Sequence, residues 1–155
     1  MADIEEVLNM GIQRVILGTA AVNNPQLVQE ALRKYPGRIA VGIDAKDGRV
    51  AVEGWEKISS HMAVDFAKAM EQLGCRVIIY TDIATDGMLK GPNLAAMEEM
   101  IRSVGMEVIA SGGVSSIEDL INLKNIGAAG AITGKAIYTG AINLEEALKA
   151  LRASG

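Results

Sequence analysis

An α/β fold on a parallel sheet is what this sequence predicts, and three observations predict it. Five short segments are dense in apolar and β-branched residues on consecutive positions, the pattern of parallel strands covered on both faces: Val15-Ile16-Leu17, Ile39-Ala40-Val41-Gly42-Ile43, Val77-Ile78-Ile79-Tyr80, Val108-Ile109-Ala110 and Ala131-Ile132. Helical segments with legible ends lie between them. Polar and glycine residues gather just past the C-terminal ends of the strands, the edge at which such sheets bind ligands. This alternation means either a doubly wound sheet or part of a (β/α)8 barrel. A whole barrel takes about 250 residues. This chain has 155, so a barrel reading requires missing strands.

Taken in order, Asp3-Ile4-Glu5-Glu6-Val7-Leu8 reads as a helix with no strand before it, as though the chain opened in the middle of a larger architecture. A strand over 14–19 follows. Asn24-Pro25 puts an N-cap before a proline at the first helical position. The strand over 39–44 leads into a long loop that holds Glu53-Gly54-Trp55. Ser60 is placed to cap a helix through Leu73, with Gly74 as the left-handed residue after it. After the strand over 77–81, Asn93 opens a helix that Gly105 closes. Beyond the strand over 107–111, Ser116 with Asp119 resembles a capping box, and Gly127 ends that helix. The strand over 130–133 and a last helix with Asn143 and Glu146 as its box complete the chain. The eight methionines, assigned mostly to helices, read as core packing. No linker interrupts the series, so 1–155 is read as a single domain.

Composition narrows the partners. Hydrophobic residues make up 50% and charged ones 22%, which fits one globular domain with a core. A net charge of −4 supplies no broad field for nucleic acid or an anionic membrane. Phosphate stays open as a ligand, because backbone amides bind it without net charge. The single cysteine, Cys75, excludes an internal disulfide and any multi-cysteine zinc site, and reads as buried and inert. No apolar run reaches the roughly 20 residues of a membrane span, and the acidic start is unlike a signal peptide. A cytoplasmic protein is expected.

The residues that carry chemistry sit at the strand ends: Gly18-Thr19, Asp44, Thr81-Asp82 with Asp86-Gly87, Gly112-Gly113 and Gly134-Lys135. Any one of them alone reads as ordinary turn chemistry. Five strand ends carrying them together do not. Ser111-Gly112-Gly113-Val114 before a capped helix, followed by Thr133-Gly134-Lys135-Ala136, has the make-up of a phosphate cradle, since glycine lets oxygens approach the amides. Asp44 ends an apolar strand against low-dielectric walls, a setting suited to a general acid; Asp47-Gly48 takes the turn role better than Asp44 does. Thr81, Asp82 and Asp86 are placed either to orient substrate hydroxyls or to brace their loop. Trp55, the only tryptophan, is a loop plug or a surface for a planar heterocycle. His61, near a helix start, is not read as catalytic. Asp44-Ala45-Lys46-Asp47-Gly48 is faintly echoed by Asp82-Ile83-Ala84-Thr85-Asp86-Gly87.

In register over essentially all of its length, the chain resembles the phosphoribosylformimino-aminoimidazole carboxamide ribotide isomerases. The resemblance rests on residues 15–22, 41–48, Gly54-Trp55, Tyr80-Thr81-Asp82-Ile83 with Asp86-Gly87, residues 109–114 and Gly134-Lys135-Ala136-Ile137-Tyr138. It implies a partial (β/α)8 barrel with the equivalents of strands 4 to 8 and their helices. It further implies an Amadori rearrangement of a phosphosugar, aminoaldose to aminoketose, with no metal or organic cofactor. By that resemblance Asp44 matches the general acid, Thr81 an assisting threonine, and Trp55 a residue that stacks on substrate. Gly112, Gly113, Gly134 and Lys135 match one phosphate site, with lysine where the family often has arginine; Gly18 and Thr19 match part of the other.

The resemblance begins in the helix before the fourth barrel strand, so the first three strands and their general-base aspartate are expected to be absent. The 155-residue chain by itself is then expected to turn over poorly or not at all. The nearest alternative is the cyclase subunit of imidazole glycerol phosphate synthase; a non-catalytic phosphate-binding half-barrel is another. An incomplete barrel would expose strand edges and its inner face, so self-association is expected, on a curved sheet with its helices outside.

Overall fold

A computed structural model describes residues 1–154. In chain order the elements are α1 (Ala2–Asn9), β1 (Val15–Leu17), α2 (Thr19–Asn23), α3 (Pro25–Lys34), β2 (Ile39–Lys46), β3 (Arg49–Val52), β4 (Lys57–Met62), α4 (Ala63–Gln72), β5 (Val77–Asp82), α5 (Leu94–Ser103), β6 (Glu107–Ser111), α6 (Ile117–Asn125), β7 (Gly130–Ile132), α7 (Lys135–Tyr138) and α8 (Leu144–Ala153). The five strands expected from the apolar segments all form. They lie side by side and parallel in the order β1-β2-β5-β6-β7. That is the parallel, helix-alternating sheet of a partial barrel.

Register sorts the strand residues onto two faces, because side chains alternate along each strand. Ile39, Val41, Ile43, Ile78, Tyr80, Val108 and Ala110 share one face and are buried beneath the helices, with α4 on β2, α5 on β6 and α6 on β7. Ile43, Ile78, Met97, Met100 and Leu123 are fully buried in this layer. Each contributes about 1.5–3 kcal/mol of hydrophobic stabilisation. The other face carries Ile16, Gly42, Asp44, Ile79, Thr81, Ile109, Ser111 and Ile132. Among the described residues no helix covers it: Ile16 is 54% and Ile132 44% exposed.

Several local expectations change. The long loop after β2 is a hairpin: β2 runs on to Lys46, and Asp47 (φ 52) with Gly48 (φ 77) makes the tight turn into β3. Two successive left-handed residues are what a two-residue hairpin of matching twist requires, and Asp-Gly supplies them. Asp44 therefore lies inside its strand rather than at the end. Ser60 does not cap α4. It sits in β4, and Met62 holds the N-cap position without a side-chain bond. Gly74 does follow α4 in the left-handed region (φ 103). Asn24, Asn93, Ser116 and Asn143 cap as expected, each side chain accepting an N–H three residues on. The Asp119 carboxylate, however, takes the Ser115 N–H and hydroxyl instead of closing a box on Ser116. Gly105 follows α5 without a left-handed φ, and its N–H donates to Glu71 Oε2. Met70, Met97, Met100 and Met106 are buried, the first three in helices, whereas Met10, Met62 and Met88 lie outside helices and are exposed.

Candidate functional site

On the face that no helix covers, Asp44 pairs in register with Thr81, and Thr81 with Ser111, forming a polar row across three adjacent strands near their C-terminal ends. The apolar residues Gly42, Ile79 and Ile109 form the next row down. A half-buried carboxylate thus stands beside a buried threonine, Thr81, on a rigid sheet. Trp55 reaches this row from the β3–β4 turn: its Nε1–H donates to Asp44 Oδ2 at 2.8 Å. Glu53, Gly54 and Trp55 all have positive φ (55, 66 and 74), a costly conformation for the two that are not glycine. Besides bonds within the hairpin, two contacts tie the turn to other elements. One is the indole on Asp44; the other is the Glu53 N–H donating to Thr19 Oγ1 at 3.1 Å. Thr19 and its neighbour Gly18, the N-cap residue of α2, therefore border the same corner as Trp55 and Asp44.

The second group lies at the ends of β5, β6 and β7. A cavity of about 250 Å³ is lined by Asp86, Gly87, Ser111 to Val114, and Ile132 to Lys135. Gly112 (φ 103) and Gly113 (φ 82) are required there twice over. A Cβ on Gly112 would lie 2.6 Å from the Asp82 carbonyl oxygen, and one on Gly113 would lie 2.6 Å from that of Gly91. Turn geometry and close approach thus act at the same positions. Lys135 Nζ crosses the cavity mouth and donates to the Gly87 carbonyl at 3.2 Å. The helix end adds less than the sequence suggested. Glu118 and Asp119 occupy the first turn of α6, so its positive end already faces carboxylates.

Asp82 sits on the opposite face of β5 from Thr81, beside buried Ala45. Its Oδ1 accepts the Ala84 N–H at 2.9 Å and its Oδ2 accepts the Asn93 amide at 2.7 Å. Of the two roles open to it, bracing is the one this geometry serves. Its negative charge adds to burial in pushing the Tyr80 phenol up to about 12. Asp86 is exposed and borders the cavity. Burial pushes the Cys75 thiol up, against the Val77 carbonyl that accepts its S–H. His61 is exposed on β4, tilted against Phe66 at 6.1 Å between ring centroids. Thr85 is a residue that sequence reasoning missed: its one hydroxyl proton is shared between the carbonyls of Asp82 and Gly112, both at 3.2 Å. The sequence places Ser111 at the end of the expected strand and the start of the glycine segment; the strand register puts it in the polar row.

The family model described as "Histidine biosynthesis protein" matches residues 1–143. The chain belongs to that histidine biosynthesis family. Among its relatives are proteins named 1-(5-phosphoribosyl)-5-((5-phosphoribosylamino)methylideneamino) imidazole-4-carboxamide isomerase. That of Acetivibrio thermocellus is 60% identical over 94% of this chain and 62% of its own length. The one from Ruminiclostridium cellulolyticum is 60% identical over 96% of this chain and 63% of its own length. The Geobacter sulfurreducens protein is 57% identical over 98% and 64%. This histidine biosynthesis chain therefore spans less than two thirds of the length of the curated relatives it matches. All three of these relatives are named as the isomerase, and none of them as a cyclase subunit. No helix among the described residues is long and apolar enough to cross a membrane.

Proposed function

We propose that this chain supplies the acid-bearing part of a phosphosugar isomerase, one that rearranges phosphoribosylformimino-aminoimidazole carboxamide ribotide from aminoaldose to aminoketose. The observation that carries the proposal is the register row Asp44–Thr81–Ser111 beside the glycine-lined cavity at the end of the same strands. Asp44 is the general acid for ring opening, delivering a proton to the ring oxygen as the aminoaldose opens. Thr81, its direct neighbour in register, orients the same substrate region. The Trp55 indole covers the heterocycle and, through its N–H, fixes the Asp44 carboxylate in one orientation. One substrate phosphate lies against Gly112, Gly113, Gly134 and Lys135, with Asp86 and Gly87 at its rim; the other reaches Gly18 and Thr19. A substrate with a phosphate at each end would then be stretched across the polar row, and that holds the reacting carbon over Asp44. Binding energy from the two ends is thereby used to position the centre.

The test is Asp44→Asn in a full-length isomerase of the family that carries this segment. Loss of a proton donor acting in the transition state lowers kcat by roughly 10²–10⁴-fold with little change in KM. An unchanged kcat would remove Asp44 from the chemistry and leave it as a hairpin residue.

A further inference from the structure

The cavity at the ends of β6 and β7 is bounded on one side by the segment 82–93, and that segment holds the Gly112-Gly113 backbone by its carbonyls. Thr85 Oγ1–H reaches the Gly112 carbonyl at 3.2 Å, and the Gly91 N–H donates to the Gly113 carbonyl at 3.0 Å. In a trans peptide the C=O and the following N–H point in opposite directions, and every peptide among the described residues is trans. Pinning the Gly112 carbonyl toward Thr85 therefore turns the Gly113 N–H away from it. Pinning the Gly113 carbonyl toward Gly91 does the same to the Val114 N–H. Among the described residues no protein acceptor takes the N–H of Gly113 or Val114, although both residues are buried. Buried backbone donors are almost always paired. Two neighbouring ones without a protein acceptor, on residues that line a cavity, are donors available to an anion in it.

We infer that Thr85 is a positioning residue for the anion pocket: its hydroxyl, by fixing the Gly112 carbonyl, aims the Gly113 N–H at a phosphate oxygen. Thr85 touches no ligand itself. Its side chain is half-buried between the carbonyls of Asp82 and Gly112 and acts only through the peptide it holds. The inference rests on the phosphate reading of this cavity and adds to it a residue outside the glycine motif. It also gives the bracing of Asp82 a purpose. The Asp82 carboxylate fixes Ala84 and Asn93, so the segment that presents Thr85 and Gly91 to the glycine turn is itself held at both ends.

The experiment is a titration of the 155-residue chain with inorganic phosphate, followed at the Gly113 and Val114 amides by ¹⁵N–¹H NMR, alongside Thr85→Val, Thr85→Ala and Thr85→Ser. Valine keeps the shape and removes the donor, alanine removes it without overpacking, and serine keeps it. The expected result is saturable shifts in the parent chain and in Thr85→Ser. In the hydroxyl-free variants binding should be about fivefold to tenfold weaker, as for loss of one well-placed hydrogen bond, with the Gly113 resonance moved before any phosphate is added. Serine rescue separates positioning from mere filling of space. If the parent binds phosphate and a folded Thr85→Val or Thr85→Ala binds it equally well, the role of Thr85 is overturned while the pocket stands. If the parent itself shows no binding at these amides, the phosphate reading falls and this inference falls with it.

Discussion

Asp44 and Asp82 occupy similar places in two similar sequence stretches, yet their carboxylates leave the sheet on opposite faces. The register decides this: Asp44 stands opposite Thr81, and Asp82 opposite Ala45. One carboxylate meets the uncovered face and an indole N–H. The other is enclosed with an amide and a backbone N–H among the loops. The echo between the stretches was legible as letters but not as geometry, because a shift of one residue changes the face. Tyr80, next to Asp82, gives a residue-scale prediction. Burial, with the nearby negative charges of Asp82 and Glu99, holds its phenol at about 12, against about 10 in an unfolded chain. The folded state thus keeps a proton that the unfolded state has lost, so this contribution to stability is whole below about pH 10 and disappears as pH rises toward 12. Urea midpoints measured from pH 9 upward should fall faster for the parent than for Tyr80→Phe. Parallel curves would contradict this.

At the scale of elements, the parallel strands and most caps were readable because each has a local signal: a run of apolar, β-branched residues, or an Asn or Ser before a helical stretch. The β3–β4 hairpin was not read. Asp47-Gly48 was recognised as a turn, but β4 is Lys57-Ile58-Ser59-Ser60-His61-Met62, an almost wholly exposed strand without apolar density. Only its pairing with β3 makes it a strand. The same polar stretch made Ser60 look like a cap. The glycine cavity was legible in composition, but its Thr85 and Asn93 supports were not, since their partners lie across loops. Asn93 caps α5 and also supplies the amide on buried Asp82. Asn93→Ala should therefore cost more than an ordinary cap. About 1 kcal/mol follows from the lost cap, and a further roughly 1–3 kcal/mol from a buried acceptor left unpaired. Chemical denaturation measures the sum. A loss of only the cap value would mean that Asp82 finds another partner.

For the whole molecule, the consequential fact is that one face of the parallel sheet carries both the polar row and a set of isoleucines without a helix over them. Ile16 and Ile132 are exposed, and Ile79 and Ile109 are half-buried between them. Contiguous apolar surface of this kind drives association in water. The 155-residue chain should bind an apolar fluorescent dye and show concentration-dependent light scattering, and Ile16→Lys with Ile132→Lys should reduce both. A dye-silent monomer would mean that the face is closed by rearrangement.

The central claim is that a phosphosugar lies along the C-terminal strand ends, from the Trp55–Asp44 corner to the glycine cavity. Trp55 is the only tryptophan, so its indole N–H gives a single NMR signal that reports directly on the Asp44 contact. Titrating the chain with phosphoribosylformimino-aminoimidazole carboxamide ribotide should move that signal together with the Gly18, Gly112, Gly113 and Gly134 amides, all with one saturation curve. An unmoved indole, or shifts confined to Gly37, Gly74 and Gly105 at the opposite strand ends, would contradict the account.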